Sequence, residues 1–97
     1  MESDNTHIPE SFHISQNHPN PFTSSTTFSF DLFESGNVSL KVYNLLGYEV
    51  SHLIDKALPA GSWRIQWHSP ELAKGQYLAE IVFNGTRKVI KVLKVQR

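Results

Sequence analysis

Ninety-seven residues suffice for one domain and no more. Nine Lys and Arg balance nine Asp and Glu, which excludes a nucleic-acid binder held by bulk charge. No apolar run is long enough to cross a membrane as a helix, and the lack of cysteine excludes disulfides, Cys–zinc sites and cysteine nucleophiles.

Neutrality hides an asymmetry. Residues 1–49 carry six acids and one base, whereas residues 50–97 carry three acids and eight bases. Five of those bases fall in the last eleven residues: Arg87, Lys88, Lys91, Lys94 and Arg97. Such polarity points to a functional tail or to a strand that meets an acidic neighbour.

Met1 is followed by Glu-Ser-Asp-Asn-Thr-His rather than by a basic and apolar leader. That start fits a cytoplasmic protein or a piece of a longer one. Residues 1–11 are polar, contain Pro9 and read as a flexible lead-in or linker, with one folded unit over 12–97. Phe12 to Ser15 is short enough for an edge strand. Asn17-His18-Pro19-Asn20-Pro21 is irregular, because two prolines remove donors and push their predecessors to extended backbone. From Ser25 to Leu32 the chain alternates, with Thr26, Phe28, Phe30 and Leu32 on one face.

Gly36, Gly47, Gly61, Gly75 and Gly85 are expected in turns between further alternating strands. These strands begin near Val38, Tyr48, Trp63, Tyr77 and Thr86. Asn84-Gly85 is the strongest hairpin signal and fits a type I′ turn. The pattern predicts an all-β fold, an immunoglobulin-like antiparallel β-sandwich of about seven strands.

Little in the chain suggests chemistry. His7, His13, His18, His52 and His68 form no His-x-His or His-x-x-x-His pair, and no metal site is expected. No carboxylate pair, nucleophile elbow or glycine-rich phosphate loop occurs, so neither catalytic residues nor a cofactor are expected. Trp63, Ile65 and Trp67 share a strand face opposite Arg64, Gln66 and His68, which assigns the tryptophans to the core. Trp63, at the strand start, is the candidate for an exposed aromatic.

The last segment is the informative one. In Lys88-Val89-Ile90-Lys91-Val92-Leu93-Lys94 the bases recur every three residues. A helix would gather the apolar residues on one side, but the β-branched content favours a strand. In a strand, Lys88, Ile90, Val92 and Lys94 share one face and Val89, Lys91, Leu93 and Val95 the other. Two readings of this strand stand: lysines guarding an exposed edge against aggregation, or a tag that another protein reads by adding a strand and placing acids opposite the lysines.

Longer stretches carry a resemblance. Ile14-Ser15-Gln16-Asn17-His18-Pro19-Asn20-Pro21-Phe22, Ser25-Thr26-Thr27-Phe28-Ser29-Phe30 and the run from Ser35 to Val50 with Asn44-Leu45-Leu46-Gly47 resemble the type A C-terminal sorting domain of the type IX (Por) secretion system. Leu58-Pro59-Ala60-Gly61, Trp67, Leu72-Ala73-Lys74-Gly75-Gln76-Tyr77 and the lysine-rich end extend the match to residues 12–95. Phe33, Tyr48, Trp63 and Gln76 depart from the family pattern.

The resemblance implies an immunoglobulin-like domain at the C-terminus of a larger exported cargo protein in bacteria of the Bacteroidetes type. It implies an outer-membrane translocon as partner and secretion or display at the cell surface. Often a sortase-like peptidase removes such a domain and a lipopolysaccharide anchor replaces it. The family's signal maps onto Lys88 to Lys94. No nucleic acid and no transmembrane segment are implied. The alternatives are a structural immunoglobulin-like domain of the hook-capping kind and a carbohydrate-binding accessory module of a secreted enzyme. The latter needs Trp63 and a tyrosine exposed on one surface.

Overall fold

A computed structural model describes residues 11–95. The lead-in expected over 1–11, with His7, lies outside the described residues except for Ser11, and so does Arg97. The strands are β1 (Phe12–Ile14), β2 (Ser25–Leu32), β3 (Gly36–Asn44), β4 (Glu49–Leu58), β5 (Gly61–His68), β6 (Gly75–Phe83) and β7 (Thr86–Lys94). They form two antiparallel sheets, β1-β2-β5 and β4-β3-β6-β7. This is the expected immunoglobulin-like sandwich. The chain crosses between sheets after β2, β4 and β5, and hairpins join β3 to β4 and β6 to β7.

Alternation explains the core. Thr26, Phe28, Phe30 and Leu32 of β2 are all buried, as are Val38, Leu40 and Val42 of β3 and Tyr77, Ala79, Ile81 and Phe83 of β6. One inner face of each sheet thus supplies every second residue. Trp67 of β5, only 3 % exposed, packs its ring near those of Phe22, Phe28 and Tyr77. Its indole N–H donates across the sandwich to Ser51 Oγ of β4 at 2.9 Å, so the polar edge of a buried aromatic is satisfied.

Three of the five turn assignments for glycine are corrected. Gly47 and Gly85 do lie in turns, with φ of 93° and 86°. Gly36, Gly61 and Gly75 instead open strands, paired with Leu58, Leu32 and Lys94. At Gly36 the constraint is space: a Cβ there would collide with the Asn84 side chain, whose Oδ1 accepts from the Asn37 amide at 3.2 Å. Asn84 itself has φ 48°, as the type I′ turn requires at both central positions. The fourth strand extends through Asp55, Lys56 and Ala57, which stay paired with Ser39, Val38 and Asn37.

The segment 16–22 crosses from one sheet to the other. His18 bridges Thr27 of β2 through His18 N to Thr27 O (3.0 Å) and Thr27 N to His18 O (2.9 Å). Phe22 then runs parallel to β7, with Phe22 N donating to Leu93 O and Val95 N to Phe22 O. Asn17, 2 % exposed, anchors the crossing. Its Nδ2 donates to Thr26 Oγ1 at 2.9 Å and its Oδ1 accepts from Gln16 Nε2 at 2.6 Å. Thr26 Oγ1 in turn donates to Pro19 O at 2.7 Å.

Two outcomes are expected. Asn17→Ala leaves buried polar partners unsatisfied and lowers the unfolding free energy by about 2 kcal/mol, measured by urea denaturation with tryptophan fluorescence. Tyr77, whose hydroxyl donates to Ala73 O at 2.6 Å, has its phenol pKa pushed above the usual 10.0 by burial. The unfolded phenol ionises first, so this contribution is complete below pH 10 and is lost as pH rises through the folded value. Tyr77→Phe is expected to flatten the alkaline limb of a melting-temperature profile against pH.

Candidate recognition site on the last strand

β7 lies at the edge of the four-stranded sheet, and it carries the whole of the expected signal, Lys88, Val89, Ile90, Lys91, Val92, Leu93 and Lys94. Its burial alternates. Lys88 and Ile90 are half-buried and Val92 and Lys94 buried, while Arg87, Val89, Lys91 and Leu93 face out. The period of two therefore separates lysines that the sequence spaces by three.

Lys94 is 1 % exposed. Its Nζ donates to the Thr23 carbonyl at 2.5 Å and sits 5.8 Å from the Phe22 ring centroid. Lys88 reaches β1: its Nζ donates to Phe12 O at 2.9 Å and stands 4.5 Å over the Phe12 ring. Carbonyl oxygens and aromatic faces both favour an ammonium group in this position. These two lysines tie the last strand to the opposite sheet and to the crossing segment. Lys91 alone of the three points into solvent. On the outward face Lys91 is accompanied by Arg87.

Arg87 pairs through Nε with Glu80 Oε2 on β6. Glu80 Oε1 also accepts from Tyr43 OH at 3.3 Å, and Tyr43 has its pKa raised by burial and by the charge of Glu80. Between these groups and the β3–β4 turn lies a shallow groove of about 340 Å³, lined by Tyr43, Leu45, Leu78, Glu80, Arg87 and Val89 among others. The turn itself is strongly apolar at its surface, with Leu46 82 % and Tyr48 68 % exposed. Asn44 Oδ1 shapes it by accepting from Leu46 N and Tyr48 N. Strand alternation could not announce this patch, because Leu45, Leu46 and Tyr48 sit in a turn.

Trp63 is corrected from exposed to half-buried, its indole N–H donating to Pro59 O at 3.1 Å. Among the described residues the exposed Phe, Trp and Tyr side chains are Phe33 and Tyr48. Trp67 lies in the core, so the two tryptophans do not share an exposed surface. Among the described residues no three His, Asp or Glu side chains gather as metal ligands would.

The sequence matches the family model described as "Secretion system C-terminal sorting domain" over residues 16–96. The chain belongs to this family. It is a C-terminal secretion signal of the type IX system, which implies a cargo protein and export through the outer membrane. The sorting domain is similar in fold to part of the dimeric latent PorU from Porphyromonas gingivalis, with a TM-score of 0.65 and 19 % identity. That similarity covers 95 % of this chain and 10 % of the PorU chain. No curated protein matches the sequence.

Replacing the two inward lysines is expected to act on stability, not charge display. Lys94→Ala is expected to cost about 2 kcal/mol, as for loss of a hydrogen bond to a charged group, while Lys91→Ala stays within about 0.5 kcal/mol. Urea denaturation of both variants provides the comparison.

Proposed function

We propose that this sorting domain is a folded address label, read at β7 and its surroundings by the outer-membrane translocon, with no catalysis of its own. After export a sortase-like peptidase removes it and the cargo is released or anchored at the cell surface. The type A assignment rests on the order of the Gln16-Asn17-His18-Pro19-Asn20-Pro21 crossing, the Asn44-Leu45-Leu46-Gly47 turn and the lysine-rich strand. The observation that carries the reading is the family match over residues 16–96, which takes in all of β7 at an open sheet edge. Support for recognition over chemistry comes from the same surface: exposed apolar side chains, a free strand edge and two bases.

The buried half of β7 alters how the reading must be tested. Removing residues 88–97 deletes Val92 and Lys94, both inside the sandwich, so truncation is expected to abolish the cooperative melting transition seen by circular dichroism. Point changes on the outward face avoid that. The chain, fused behind a signal peptide and a fluorescent reporter, is expected to carry the reporter out of a bacterium with a working type IX system. In a translocon-deficient strain the reporter is expected in the periplasm. Equal distribution in the two strains overturns the proposal, and mass spectrometry of the exported reporter shows whether the domain has been removed.

A further inference from the structure

The open edge of β7 is short, and its boundaries follow from hydrogen-bond accounting. The two-residue Asn84-Gly85 turn makes Phe83 and Thr86 a hydrogen-bonded pair, so Lys88, Ile90 and Val92 also turn their backbone groups toward β6. Arg87, Val89, Lys91 and Leu93 turn theirs outward. The crossing segment takes the far end: Leu93 O accepts from Phe22 N, Leu93 N donates to Asn20 Oδ1, and Lys91 O accepts from Gln16 Nε2 at 2.6 Å. Among the described residues that leaves both backbone groups of Arg87, both of Val89 and the Lys91 amide without partners.

Two of the other edges are defended. β4 is bent by register shifts at Leu40/Lys41 and Val42/Tyr43, and it carries Glu49, His52, Asp55 and Lys56. β5 faces out with Ser62, Arg64, Gln66 and His68. The β7 edge has unbroken register, and at its centre Val89 is 40 % exposed between two bases. Charge and bulges are how sheets normally block strand addition; here an apolar residue occupies the middle.

Resting on the proposed function, we infer that Arg87–Lys91 accepts one extended strand of the recognising protein, with the pattern acid-x-apolar-x-acid. An added strand places its alternate side chains on the outer face beside Arg87, Val89 and Lys91. Its central residue packs on Val89 and continues the groove formed with Tyr43 and Leu78. One acid meets Lys91, which has no ion pair among the described residues. The other meets the guanidinium nitrogens that Arg87 does not use on Glu80. The pattern reads the same in both chain directions. Residues between these positions cover half-buried Ile90 and the stem of Lys88. A second copy of this chain is a poor occupant: antiparallel self-pairing about Val89 sets Arg87 opposite Lys91 twice, and like charges directly opposite repel.

The decisive variant is Val89→Pro. It deletes an outward amide while leaving the β6–β7 bonds, a placement that edge strands tolerate. In the reporter fusion, Val89→Pro and the pair Arg87→Glu with Lys91→Glu are each expected to reduce export at least about tenfold, with melting temperatures within a few degrees of the parent. Export at the parent level in either folded variant overturns the inference. Should Val89→Pro fail to fold, the charge-reversed pair decides.

A second measurement does not depend on export. The isotope-labelled chain is titrated with the peptide Gly-Glu-Thr-Val-Thr-Glu-Gly and with its Lys-for-Glu counterpart. Amide shifts confined to Arg87, Val89, Lys91 and their neighbours, with the acidic peptide only, support the edge site. Shifts elsewhere, equal response to both peptides, or a dimer that sediments without peptide overturn it. Failure of the parent fusion to leave the cell strikes the proposed function instead, and the titration still reads the edge.

Discussion

The crossing of residues 16–22 from β2 to β7 is the constraint on which the rest of the structure depends. A sandwich of two sheets has corners where backbone groups would be stranded, and this segment satisfies both sides of one corner. It does so with few regular bonds, because Pro19 and Pro21 supply no amide hydrogens. Side chains replace them: the Asn17 amide, Thr26 hydroxyl and Gln16 amide form a connected chain of donors and acceptors ending on the Lys91 carbonyl. A buried polar network is stabilising only when every member has a partner. The crossing also delivers Phe22 into the core beside Trp67 and under Lys94, so it sets the position of the last strand.

Much of this was legible in the residue order. The alternation in Thr26-Thr27-Phe28-Ser29-Phe30-Asp31-Leu32 predicts the inner face of β2 as observed, and Asn84-Gly85 marks its hairpin with the positive φ values it needs. These are local signals with local causes. The lysines were not legible in the same way. Lys88, Lys91 and Lys94 look equivalent in a line of sequence, and nothing within β7 distinguishes a lysine that ends on a carbonyl of Phe12 or Thr23 from one in water. Those oxygens belong to residues more than seventy positions away. Gly36 is a parallel case: it resembles a turn residue, yet what demands it is the Asn84 side chain arriving from the other hairpin.

One strand therefore serves two purposes whose residues interleave. Its inward set, with Val92 and Lys94 fully buried, completes the core and ties the sheets together. Its outward set, Arg87, Val89, Lys91 and Leu93, faces whatever approaches the edge. Strand geometry is well suited to this division, since neighbouring positions point to opposite faces and can be changed independently.

The inward lysines carry a further consequence. In an unfolded chain Lys88 and Lys94 are hydrated and add their charge to that of Arg87, Lys91 and Arg97, so the tail resembles a generic basic peptide. Folding draws two of these ammonium groups against carbonyl oxygens and aromatic rings and leaves a sparser, fixed spacing of charge around Val89. A receptor tuned to the sparse arrangement distinguishes a mature domain from a nascent one without inspecting its interior. Under the proposed function, folding is then written into the surface offered for recognition.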